Sequence, residues 1–111
     1  MPFTNEPWDG AKVESGLDAD AFCRCCLVDL NPPGKAKVKA LCKLPVRATP
    51  GGPFNVNSMI ACASVLAGGR GGMDAPAEVK RKAAKKLLAL YGELGKPAPG
   101  ALRRIAGMRA E

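Results

Sequence analysis

The sequence predicts an α+β fold that is mainly helical: three helices packed with a short β-hairpin or strand pair, carrying an extended N-terminal arm and a basic C-terminal tail. Three observations predict it. Apolar residues recur at three- and four-residue steps over 17–28 and 79–94, the period of a half-buried helix, and 56–67 is apolar almost all round between helix start and stop signals. Residues 35–46 instead alternate lysine with apolar residues, the period of a strand with one wet face. Thirteen glycines and ten prolines fall mostly between these segments and punctuate them. The predicted organisation is an arm over 1–16, one globular domain over 17–96 and a tail over 97–111.

The first sixteen residues, with Pro2, Pro7, Gly10 and Gly16, read as extended, and they hold the only tryptophan, Trp8. So large an amphipathic side chain docks, either on its own domain or on a neighbouring molecule. From Asp18 to about Val28 the series Leu17, Ala21, Cys25, Val28 is helical, with aspartates at the start where the helix dipole favours them. Asn31-Pro32-Pro33-Gly34 stops it, because consecutive prolines remove donors and hold φ. Lys35 to Val46 follows as the strand, ended near Pro45.

A turn-rich loop over 47–55 leads to a second helix, capped by Asn55 or Asn57 and stopped by Gly68-Gly69. Its residues are apolar almost all round and small, which suits a central, buried helix. In the third helix Val79, Ala83, Leu87, Leu90, Tyr91 and Leu94 share one face, while Arg81, Lys82, Lys85 and Lys86 share the other. That basic face is either solvated surface or a contact for phosphate or acidic protein. In the tail, Leu102, Ile105 and Met108 alternate with Arg103, Arg104 and Arg109, a pattern open to a short docking helix or to disorder.

At 111 residues the chain is long enough to bury a core without a metal or disulfide staple. No apolar run is long enough to span a bilayer, so no membrane partner is expected, and the N-terminus lacks an export-signal pattern. An intracellular protein with reduced thiols is the expectation, with oxidation open to a particle released from its cell. The net charge of +7 is uneven: residues 1–34 carry two basic and six acidic side chains, residues 35–111 fifteen and four. Such a split suits a polyanion, an acidic protein surface or self-association.

Phe22-Cys23-Arg24-Cys25-Cys26-Leu27 crowds three of the five cysteines into four positions. A zinc set of Cys23, Cys26, Cys42 and Cys62 has one C-x-x-C pair but no second knuckle, and helical geometry divides the clustered thiols between faces. The expectation is therefore no cofactor and thiols that are buried or half-buried, with Cys25 and Cys26 in the core and Cys23 nearer the edge. A redox C-x-x-C needs a helix N-terminus or basic surroundings, whereas this pair sits within a helix after acidic residues. With no histidine there is no imidazole base for a nucleophilic cysteine, and Gly68-Gly69-Arg70-Gly71-Gly72 lacks the lysine and hydroxyl of a phosphate loop. No enzyme is expected.

The basic region has the footprint of a nucleic-acid binder, but without interleaved aromatics or a helix-turn-helix any such binding would be nonspecific in sequence. Trp8-Asp9-Gly10, Lys43-Leu44-Pro45-Val46, the asparagine-led helix over 57–72 and the segment 75–99 closing on Tyr91-Gly92-Glu93-Leu94-Gly95-Lys96-Pro97 together resemble a small uncharacterised tailed-phage and prophage domain. That domain occurs alone or beside head-assembly proteins such as prohead proteases and capsid proteins. The resemblance implies a virion component, present in host cytoplasm during assembly, whose partner is a capsid or other head protein. It implies a non-enzymatic capsid-associated (decoration or cement) or head-assembly accessory subunit. Trp8, Arg81, Lys82, Lys85, Lys86, Arg103, Arg104 and Arg109 are the contact candidates, and a sequence-nonspecific DNA- or RNA-binding accessory is the alternative.

Overall fold

In the computed structural model, residues 3–69 and 72–107 are described. The fold is mixed α+β and mainly helical, as the periodicities predict. It forms two compact units, one running to Met59 and the other starting at Ile60.

In the first unit the chain opens with β1 (Phe3–Thr4), which pairs in parallel with β4 (Phe54–Asn55). The arm is thus fastened to its own unit, and part of it is helical: α1 (Gly10–Gly16) starts at Asp9, whose carboxylate accepts from the Lys12 amide at 3.1 Å. Asp18 caps α2 (Ala19–Arg24) in the same way, accepting from the Ala21 amide at 2.8 Å. Both caps satisfy amides that the first turn of a helix leaves without partners.

The helix predicted to reach Val28 ends four residues early. Arg24 is its last residue, Cys25 caps it, and Cys26–Asp29 forms β2, antiparallel to β3 (Cys42–Pro45). The predicted strand over 35–46 is correspondingly shorter. The Asn31 side chain takes the Val38 amide on Oδ1 at 2.8 Å and gives Nδ2 to the Val38 carbonyl at 3.3 Å, which closes 31–38 as a loop. A single 3₁₀ turn at Lys39–Leu41 then leads into β3. Local clamping by an asparagine outweighs the alternating pattern there. Within β3, Leu44 is buried yet has φ of 62°, a backbone region that bulky side chains rarely adopt.

Of the two asparagines predicted as caps for α3 (Val56–Leu66), it is Asn55 whose Oδ1 accepts from the Ser58 amide, at 2.9 Å. The helix is not buried all round: Asn57, Ile60 and Ser64 lie exposed along one line, while Val56, Met59, Cys62, Ala63 and Leu66 are buried. Its small apolar residues fit either side of a helix, so composition alone overstated its burial.

In the second unit, α4 (Ala77–Leu94) buries Ala83, Ala84, Leu87, Leu90 and Tyr91. Gly95 ends it at φ 79°, with its amide and that of Lys96 both donating to the Tyr91 carbonyl, at 3.0 and 3.3 Å. The tail folds into α5 (Gly100–Ala106), which packs on α4 with Leu102 fully buried. Met108 and Arg109 lie outside the described residues.

Candidate functional site

The cysteines depart furthest from expectation. Cys23 on α2 and Cys42 on β3 form a disulfide across a separation of 19 residues. Both are buried, in a small cluster with Phe22 against which Val13, Leu17 and Cys26 pack. Cys23 is therefore a core residue, and Cys26, expected in the core, is half-buried with its thiol donating to the Phe22 carbonyl at 3.3 Å. Two features hidden in the linear sequence cause this. The helix ends at Arg24 with Cys25 as its cap, so Cys26 follows strand geometry, and β2 pairs with β3 in a register that sets Asp29 opposite Cys42.

The four-cysteine zinc set is not assembled, since two of its members are joined to each other. Among the described residues, the one group of three or more potential ligands that converges is Cys23, Cys42 and Asp29, with ligand atoms within 4.8 Å of one another. Cys25, Cys26 and Cys62 remain thiols. Burial pushes the Cys25 thiol up, against a partial opposing pull from Arg47 and Arg24.

Asp29 sits at the centre of a small polar array. Its carboxylate accepts from the Lys37 ammonium and from both the amide and the side chain of Asn31, at 2.9 and 2.7 Å. These hydrogen bonds, with that from Lys37 the largest, hold its carboxyl down at about 2. A depression of about 410 Å³ lined by Asp20, Cys23, Arg24, Asp29 and Lys37 opens beside it.

Trp8 is half-buried and lines a larger groove of about 720 Å³, together with Pro7, Val13 and Leu17 from the arm side and Thr49 and Pro53 from the loop before β4. Two asparagine side chains fasten the arm where it borders the groove. Asn55 Nδ2 donates to the Glu6 carbonyl at 3.0 Å, and Asn57 Nδ2 donates to the carbonyls of Asn5 and Glu6 at 3.0 and 2.9 Å. Phe3 packs on Phe54, whose other neighbour is the Arg47 guanidinium 5.0 Å from the ring centre. Asparagines in a loop-to-helix junction read as caps; nothing in the sequence marks them as anchors for a segment fifty residues away.

The basic candidates fall in the second unit. Lys82, Lys85 and Lys86 are exposed on α4 and Arg81 is half-buried beside them; together they cover roughly 140° of the helix at 100° per residue. Lys82 pairs with Glu78 one turn earlier at 3.6 Å. Arg103 and Arg104 are exposed on α5. Trp8 and these cations thus belong to different units. Among the described residues no helix is long and apolar enough to cross a membrane.

The fold and these features define a class: a small, mainly helical α+β protein with one internal disulfide and a lysine- and arginine-rich helical unit. No family model, curated protein or solved structure matches the chain.

Proposed function

We propose that the protein is a non-enzymatic structural subunit of a tailed-phage particle, capsid-associated (decoration or cement) or acting as a head-assembly accessory, that docks on an acidic shell surface. The observation that carries this reading is the concentration of exposed cations on α4 and α5. The part of the chain from Ile60 holds ten basic and four acidic side chains, while the part up to Met59 has a net charge of only +1. A rigid helix presenting lysines one turn apart suits a repeated acidic lattice, where weak contacts per copy add through multivalency. The resemblance of 8–10, 43–46 and 75–99 to the phage domain supplies the biological setting.

The arm enters this reading differently from the sequence expectation. Because β1 is paired with β4, a neighbouring subunit would be met by the Trp8 groove and not by a free strand. Co-sedimentation with purified shells is the test. Wild-type protein is expected to pellet with them, and the triple reversal Lys82→Glu, Lys85→Glu, Lys86→Glu to stay in the supernatant. Duplex binding with a steep log–log salt slope and no affinity for shells would replace this reading with the nucleic-acid one.

A further inference from the structure

The array around Asn31 in the first unit is independent of the shell-docking reading and has its own chemistry. Asn31 Nδ2 lies 2.7 Å from Asp29 Oδ1, 3.3 Å from Cys42 Sγ, 3.8 Å from Cys23 Sγ and 3.3 Å from the Val38 carbonyl. Two N–H hydrogens thus face four acceptors. The amide nitrogen marks a point that the two sulfurs and the carboxylate all address, and it supplies only the weak positive end of a dipole there.

The three groups come from separate, fixed elements: Cys23 from α2, Asp29 from β2 and Cys42 from β3, the last two directly opposite in the strand register. Their ligand atoms already lie within 4.8 Å of one another. With Cα atoms 5.3 Å apart, side-chain rotation can open two thiolates to the roughly 3.8 Å edge of a tetrahedron with Zn–S near 2.3 Å. The adjoining depression gives an ion and a solvent ligand a route in.

We propose that reduction of the Cys23–Cys42 disulfide converts this corner into a site for one thiophilic divalent cation of the Zn²⁺ or Cd²⁺ type, bound by Cys23 Sγ, Cys42 Sγ and the Asp29 carboxylate. The S–S bond takes two electrons and two protons to give two thiols: a dithiol supplies both and closes to its own disulfide, whereas a phosphine supplies the electrons and becomes its oxide, with water giving the oxygen and the protons. The cation then displaces those two protons, which pass to solvent, and solvent completes the fourth position. Two thiolates select a soft ion over Mg²⁺ or Ca²⁺, which need more oxygen ligands than this corner offers. Lys37 and the Asn31 amide oppose the ion, and binding requires the ammonium to leave Asp29 and Asn31 Nδ2 to leave the point it occupies.

Native mass spectrometry of the full chain, with and without a phosphine reductant, tests this using Zn²⁺ as the probe. The oxidised protein is expected to take up no stoichiometric ion, and the reduced protein one Zn²⁺ with loss of two protons. Co²⁺ in place of Zn²⁺ should give thiolate-to-metal charge-transfer absorption only after reduction. Asp29→Asn should weaken binding by about tenfold or more. The double variant Cys26→Ser, Cys62→Ser should bind as wild type. If reduction loosens the fold, Zn²⁺ should raise the melting temperature of the reduced protein. No ion on the reduced protein, equal affinity in Asp29→Asn, or loss of binding in the Cys26→Ser, Cys62→Ser variant overturns the proposal.

Discussion

Asn55 joins three segments through one side chain and one amide. Its amide donates to the Val46 carbonyl at 2.8 Å, its Oδ1 caps α3, and its Nδ2 holds the Glu6 carbonyl. It is almost completely buried, so Asn55→Ala leaves desolvated groups without partners. The expected loss is about 2–3 kcal/mol, measurable as a lowered urea midpoint at unchanged slope. Asp29 makes a pH-dependent contribution. Its folded value of about 2 lies below the ordinary 3.8, so the stabilisation is fully present above pH ~4 and is lost as pH falls through about 2. Asp29→Asn should flatten that acid limb of a stability-versus-pH curve. The thiols give a count: unfolding without reductant should expose three alkylatable cysteines, and unfolding after reduction five. In the native protein half-buried Cys26 should react before Cys25, whose burial both shields its thiol and disfavours the thiolate.

At the scale of elements, the disulfide ties the end of α2 to β3. Closing a loop of 19 residues restricts the unfolded chain by about 3 kcal/mol. Reduction should lower stability by about that amount in denaturant titrations without Zn²⁺, and Cys42→Ser should reproduce the loss. α4 ends at Gly95 with φ of 79°, a conformation in which a Cβ is strained although space around it is open. Gly95→Ala should therefore cost about 1 kcal/mol through backbone strain alone, read as a shift in thermal midpoint with unchanged helix content. Which elements form was largely readable. α3 has end signals at Asn55 or Asn57 and at Gly68-Gly69, and α4 has periodicity with start residues Asp74, Pro76 and Glu78 and the stop Gly92-Glu93-Leu94-Gly95-Lys96-Pro97. The 18–46 region misled because Cys25-Cys26-Leu27-Val28 fits a helix or a strand equally well, and pairing with β3 decides for the strand.

For the whole molecule, the division at Met59 and Ile60 falls inside α3, where no glycine, proline or polar run announces a boundary. The predicted arm, domain and tail followed composition, whereas the chain places the arm in the first unit and the tail helix in the second. Charge follows the same division, and the triple reversal on α4 tests its role at the level of particle binding. The shell reading predicts loss of co-sedimentation with the first unit's thiol count unchanged, because the substituted lysines are exposed and far along the chain from Cys23 and Cys42.

Local patterns were enough for the helix-rich α+β class, for an asparagine cap at 55 or 57, for a stop of α4 within 92–97 and for the separation of lysines from leucines on α4. Each depends on residues within a turn or two of one another, so spacing carries the information. The Cys23–Cys42 pairing, the convergence of Asp29 and Asn31 upon it, and the capture of the arm by Asn55 and Asn57 connect residues up to 52 positions apart. Such meetings depend on strand register and on where α2 ends, which are settled by the free energy of packing the whole unit and not by any short stretch of chain.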